Sequence, residues 1–288
     1  RRLSEIEIPF LFDSGYFSAF LQKSRFSFFQ SVGYTERPDT GAAKICEGKM
    51  ILLVNGSPFA LIVPYFFNEN FQSMDDYSEK AYFSSMIRVL KYAAFLIAVM
   101  LPGLFVSVAN FTPEFLPSAL LYKTAAAESA TPLPLFAEAI FVNFLLEIVR
   151  EAGLRLPRAI GHSVSLVAAL ILGDAAVSAG LLGTPVVVVA ALTAICTYVV
   201  PNLYEPVTVL RLLFIAAGGI LGPIGIIALF LYLIFNLCSM NAFGIPFTAP
   251  MAPASRAFLR DGVIRKSWWV LARSAFTIHD LQQTEVEE

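Results

Sequence analysis

Residues 92–109 read YAAFLIAVMLPGLFVSVA, a run without a single charge. Coiled as a helix at about 1.5 Å per residue, it comes close to the roughly 30 Å of bilayer hydrocarbon. Pro102 and Gly103 at its centre would break a soluble helix, but a bilayer tolerates them where neighbouring helices re-satisfy the freed carbonyl. The whole chain agrees with a membrane reading. It has 288 residues, 57% hydrophobic and 15% charged, with 26 Phe and a mean hydropathy of +0.69. Ordinary soluble domains have about 45–50% apolar and about 25% charged residues. A net charge of −2 gives no electrostatic footprint for nucleic acid. Cys46, Cys196 and Cys238 are too scattered for a disulfide framework or a metal site.

Charged side chains divide as 20 in residues 1–91, 12 in 92–255 and 10 in 256–288, so the middle of the chain is a different material from its ends. Further spans are expected at 133–149, which carries Glu138, Asn143 and Glu147, at 164–182, interrupted by Asp174, and at 185–200. Residues 207–240 are apolar apart from Arg211 and too long for one perpendicular span. Gly218-Gly219 and Gly222-Pro223 suit a hairpin of two helices there. Arg88, Lys91, Arg150, Arg155, Arg158, Arg211, Arg256, Arg260, Arg265, Lys266 and Arg273 all fall on the cytoplasmic side if there are six crossings. Residues 110–132 are then an outer loop; five crossings would put the basic tail outside.

Ahead of the spans, a helical stretch around Ala42–Glu47 precedes Met50-Ile51-Leu52-Leu53-Val54, then Asn55-Gly56, then Phe59-Ala60-Leu61-Ile62-Val63. Two β-rich runs about Asn-Gly read as a hairpin, and their continuous apolarity predicts strands covered on both faces. The chain opens Arg1-Arg2-Leu3-Ser4, without Met or a signal-peptide pattern, and reads as a fragment with part of that sheet outside it. The resulting fold is a mostly α membrane protein with about six transmembrane helices, five being the alternative. They follow part of a cytoplasmic α/β domain (1–85). The membrane domain covers 86–242, with spans near 88–110, 133–150, 163–182, 185–200, 207–221 and 223–240, and a short helical cytoplasmic tail covers 243–288.

Glu138, Asn143, Glu147 and Asp174 are the intramembrane polar candidates, because such groups must face protein or water. Asn143 and Glu147 share a helix face, with Arg150 able to pair one turn on. That strip fits a water-filled path or an interhelical salt bridge equally. Ser165, Ala169 and Gly173 recur every four residues, as in close helix packing. Val186, Val187, Ala190, Thr193 and Thr197 could form the narrow wall of an oligomeric pore that gates by dewetting, or simply pack. Trp268 and Trp269 beside Arg265 and Lys266 read as an interfacial anchor. His162 and His279 are isolated. No catalytic set, metal motif or cofactor loop appears, so an enzyme is not expected.

Six strings in order then become informative: Tyr34-Thr35-Glu36-Arg37-Pro38-Asp39, Asn55-Gly56-Ser57-Pro58-Phe59, Glu151-Ala152-Gly153-Leu154-Arg155-Leu156-Pro157-Arg158, Ala191-Leu192-Thr193-Ala194-Ile195, Phe243-Gly244-Ile245-Pro246-Phe247 and Ile264-Arg265-Lys266-Ser267-Trp268-Trp269. Together they resemble the A subunits of GerA-type spore germination receptors, or the paralogous branch resembling the SpoVA-operon receptor-like protein. The resemblance implies a subunit in the inner membrane of bacterial endospores that forms a homo-oligomeric ion channel. Its expected partners are a transporter-like, germinant-binding B subunit, a lipoprotein C subunit and the bilayer. Asp174 and His162 depart from the Gln usual in relatives, and a carboxylate near a pore would favour cations. A non-conducting scaffold and a secondary transporter are the other readings; a transporter predicts an inverted repeat, and none is evident between 92–160 and 163–240.

Overall fold

A computed structural model describes residues 13–21, 27–157, 161, 166–253 and 261–271. Arg158, His162, Ser165, Arg256, Arg260, Arg273, His279 and the side chain of Trp268, all singled out in the sequence, lie outside the described set. The chain forms two compact units, residues 1–92 with 233–288 and residues 93–232.

In the first unit, α1 (Gly15–Leu21) precedes β1 (Gly33–Thr35), α2 (Pro38–Cys46), β2 (Met50–Leu52) and β3 (Ala60–Val63). The three strands form an antiparallel sheet of order β1-β3-β2, with Leu61 opposite both Tyr34 and Leu52. The expected hairpin is present, but its connection runs from Leu53 to Phe59 rather than as a tight two-residue turn. The expectation of strands covered on both faces holds only for the centre. Leu61, Ile62 and Val63 of β3 are buried, while edge strand β2 leaves Met50 62% exposed and Leu53 is 81% exposed. Leu21, Val32, Leu61 and Val63 make the core beneath.

A short helix α3 (Asp75–Ser78) leads into α4 (Ala81–Phe111), whose first turns belong to this unit. The described residues of 233–253 and 261–271 belong to the same unit. Phe247, fully buried, packs against Phe29 and Phe67, and the Phe67 N–H donates to the Phe247 carbonyl at 3.0 Å. Arg88, also fully buried, donates through Nε to Asp76 at 3.0 Å and through Nη1 to Asp261 at 2.7 Å. Arg265 is 3% exposed and donates to the carbonyls of Asp76 (2.7 Å) and Glu79 (3.0 Å). Arg88 and Arg265 both lie over the ring of Tyr77. The sequence took Arg265 for an interfacial cation; its carbonyl partners make it a clamp on the chain's own backbone instead. Lys266 and Trp269 stay exposed at the segment's surface.

Lys49 and Lys44 converge on Glu69, with Lys44 at 2.7 Å, and Glu69 also accepts the Phe66 N–H at 3.1 Å. Burial pushes the Glu69 carboxyl up, but the two ammonium groups outweigh it and hold it at about 2.

In the second unit the rest of α4 is joined by α5 (Ser118–Ala130), α6 (Leu135–Arg155), α7 (Leu166–Ser178, with a π-helical stretch at Ile171–Ala175), α8 (Thr184–Val199) and α9 (Tyr204–Ser239), whose last turns belong to the first unit. By length and composition α4 and the stretch Pro201–Ser239 can each cross a membrane. The α5–α6 pair passes the same test only together, bent by 84°, and α7 and α8 are shorter apolar helices. Residues 110–132, expected as a loop, therefore contain a helix: SALLYKTAAAESA is rich in the strongest helix former although only weakly apolar.

The expected division of 207–240 corresponds to a break at Gly222, where φ 63° and ψ −147° leave the helical region. Arg211 lies two turns inside α9 and is 6% exposed, so it is not the loop cation the sequence suggested. Where α4 crosses α9, Gly103 faces the Phe214 backbone and Gly218 faces the Gly103 carbonyl, with no room for a Cβ on either.

Two outcomes follow for the full chain in detergent. Gly103→Leu lowers stability by about 1–3 kcal/mol through overpacking, read as a drop in thermal midpoint, whereas Gly173→Ala, with nothing within 4 Å of the added carbon, does not lower it. Glu69→Gln costs about 1–3 kcal/mol at neutral pH by taking from buried Lys44 and Lys49 the carboxylate they share, with Glu47 left as their remaining partner. The folded-state value of Glu69 lies below the ordinary ~4.3, so its stabilisation is present above that value and is lost as pH falls from ~4 through ~2. Urea midpoints of the variant should lack that portion of the acid dependence.

Candidate functional site

The polar residues of the second unit gather on one seam of the bundle. Asn143 points inward from α6 because it lies on the same face as Ala139 and Val142, which pack in the core with Phe105, Val106, Val186, Ala190 and Ile215. Arg211 reaches it from α9. Its Nε donates to the Ala98 carbonyl of α4 at 3.2 Å, Nη1 to Asn143 Oδ1 at 3.4 Å, and Nη2 to Thr197 Oγ1 of α8 at 2.7 Å. One guanidinium thus ties its own helix to three others. The Thr197 hydroxyl donates a hydrogen bond to the Thr193 carbonyl at 2.8 Å and the Asn143 amide donates to the Ala139 carbonyl at 2.8 Å, so both oxygens face the arginine as acceptors.

A second contact joins α6 to α9 one turn away. Glu147 accepts from Arg150 Nη2 at 2.7 Å and from the Tyr204 hydroxyl, and Arg150 lies 3.4 Å from the centre of the Tyr204 ring. Glu138, 1% exposed, accepts the Gly183 N–H at the start of α8. A carboxylate there satisfies an otherwise orphaned amide and meets the positive end of the helix dipole. The sequence placed Glu138 as a carboxylate for ions or a partner arginine; its contact is instead an anchor for α8. Asp174 is exposed on the π-helical stretch of α7 and does not join the seam.

Among the residues offered as a pore wall, Val186, Ala190, Thr193 and Thr197 are buried in this chain's own bundle, and Val187 is half-buried. Small side chains at 190, 193 and 197 let α8 approach its neighbours closely enough for Arg211 to reach Thr197. The outward face carries Val188, Leu192, Ile195 and Tyr198. Sequence reasoning missed Arg211 as the hub by counting it among loop cations. The usable signal was a lone arginine inside a long apolar run, which must find partners within the protein. Among the described residues no group of three or more His, Cys, Asp or Glu could hold a metal ion.

A family model described as "Bacillus/Clostridium GerA spore germination protein" matches residues 1–275. The chain belongs to the GerA family. Spore germination protein KA of Bacillus subtilis (strain 168) is 36% identical over 93% of this chain and 50% of its own length. The uncharacterized membrane protein YfkQ of the same organism is 34% identical over 95% and 54%, respectively. Spore germination protein B1, also from that strain, is 35% identical over 92% and 55%. The chain therefore spans about half the length of the curated relatives it matches. No solved structure matches.

On this GerA family chain, the residues that carried the resemblance fall both on the surface and inside, where Phe247, Arg265 and Thr193 are buried. Tyr34, Glu36, Arg37, Pro38 and Asp39 are exposed around the start of α2, where Arg37 pairs with Asp39 at 2.7 Å and with Asp75 at 3.2 Å. Arg155, paired with Glu151 at 2.7 Å, and exposed Pro157 close α6. Pro246 sits in β5 (Ile245–Pro246), which pairs with β4 (Asn241–Ala242) in the first unit. Trp268 and Trp269 open α10 (Trp268–Leu271), with Trp269 84% exposed. Thr193, from the string Ala191–Ile195, belongs to the Arg211 seam: its carbonyl accepts the Thr197 hydroxyl. Glu138→Ala should free the α8 amides: about 1–3 kcal/mol of local stability is lost, seen as faster hydrogen exchange at residues 183–187.

Proposed function

We propose that this chain is the membrane-spanning part of an A subunit of a nutrient germinant receptor in the spore inner membrane. It assembles with copies of itself and with transporter-like B and lipoprotein C subunits to enclose a ligand-gated cation path. Family membership supports the germination role, since the relatives named above include two spore germination proteins. Six crossings, the last two on either side of Gly222, fit better than five. The grouping of 1–92 with 233–288 in one unit supports an even count.

The observation that carries the conducting reading is α8. It is uncharged, packed on one side through Val186, Ala190, Thr193 and Thr197, and bare on the other through Val188, Leu192 and Ile195. We assign the bare side as the wall of the path and the buried residues as its backing, with Val187 at the edge. Bulky aliphatic side chains facing a narrow lumen gate by excluding water. Exposed Asp174 on α7 would favour cations nearby. Neither assignment calls for catalysis.

The test is ionic current across planar bilayers containing the full-length protein, with its partner subunits and germinant present and absent. Val188→Ala should raise open probability about fivefold, the factor for roughly 1 kcal/mol of apolar barrier, while Val186→Ala leaves conductance unchanged. Silence from a demonstrably assembled complex under every condition would favour a non-conducting scaffold.

A further inference from the structure

Arg211 carries a full charge inside a helix bundle, and its hydrogen bonds go to neutral oxygens: the Ala98 carbonyl, Asn143 Oδ1 and Thr197 Oγ1. Among the described residues no carboxylate lies within ion-pairing distance of it. A buried guanidinium is best satisfied by a carboxylate, whose attraction grows in a low-dielectric interior. Glu147 stands one turn from Asn143 on α6, and its partner Tyr204 stands two turns before Arg211 on α9. In the present arrangement Glu147 is occupied by Arg150 and Tyr204.

We infer that Arg211 is the positioning residue of α8: it latches the helix through Thr197, and on release its guanidinium passes one turn along α6 to pair with Glu147, freeing the C-terminal end of α8. The other end stays tied by Glu138 at Gly183, so α8 pivots rather than leaves. The inference rests on reading α8 as the movable wall of the path. It assigns the two stacked contacts on the α6–α9 seam as alternatives for one charge: a neutral set that holds α8 and a carboxylate that does not.

Cys196 supplies a native reporter. It is 9% exposed, next to Thr197 on α8, and its thiol meets reagent only when that end of the helix loosens. Full-length protein in membranes is treated with N-ethylmaleimide, and modification is read at Cys196 by peptide mass spectrometry, so that exposed Cys46 and Cys238 do not enter. Thr197→Val, which keeps the shape and removes the acceptor, should raise the labelling rate about tenfold or more, and Thr197→Ser should match the unaltered protein. Glu147→Gln in the otherwise unaltered protein should lower the labelling rate about threefold or more, because the released charge loses its destination and the latched state is favoured. A purely structural staple, in which Glu147 plays no part, would leave that rate unchanged. Labelling as fast in Glu147→Gln as in the unaltered protein overturns the exchange. No increase in Thr197→Val, or in Thr197→Ala carried in case valine packs poorly, overturns the latch. No current is measured, so a silent bilayer defeats the channel reading alone and leaves this result to stand or fall separately.

Discussion

The second unit is organised around a guanidinium that, among the described residues, finds no carboxylate. To keep Arg211 inside, three other helices must each present an oxygen to it: a main-chain carbonyl from α4, an amide from α6 and a hydroxyl from α8. That demand limits which side chains can surround it. Helices α4 and α9 meet through Gly103 and Gly218, and α8 turns Ala190, Thr193 and Thr197 inward, so the backbones lie close enough for a single side chain to span them. In lipid no hydrophobic drive holds helices together, and close packing with interhelical hydrogen bonds takes its place. Here both converge on one residue.

The same economy appears in the first unit, where charges are buried only where they are answered. Arg88 meets Asp76 and Asp261, and Lys44 and Lys49 meet Glu69. The Arg88–Asp261 pair joins segments 173 residues apart, drawing residue 261 to the first turns of α4. Such pairs define an arrangement more than they add net stability, because desolvation offsets much of the attraction.

Local pattern was legible in the sequence; partnership was not. The long apolar run at 92–109, the paired β runs about Asn55-Gly56 and the punctuation at Gly222-Pro223 each announce their structure within a few residues. Residues 118–130 misled because hydropathy was asked a question that helix propensity answers: an alanine-rich, weakly apolar stretch looks like a loop to one measure and a helix to the other. Arg211 misled because cations were tallied for topology before being asked what they touch. The roles of Arg265 and Glu138 depend on backbone groups at Asp76, Glu79 and Gly183, and no motif in one dimension specifies a distant carbonyl or amide. At the site, Asn143 and Glu147 lie one turn apart on α6, but the hub that separates their roles sits on a different helix.

Helix α8 has 16 residues, about 24 Å at the standard rise, against roughly 30 Å of hydrocarbon. On the proposed reading of α8 as a crossing, the helix is shorter than the slab, and both of its ends are polar junctions. Hydrophobic mismatch of this size costs fractions of a kcal/mol per Å and is relieved by thinning the lipid or by surrounding protein. Bilayer thickness therefore becomes a variable in the molecule's own energetics: a thicker, more ordered membrane would press on the two ends of this helix, and a thinner one would relax them.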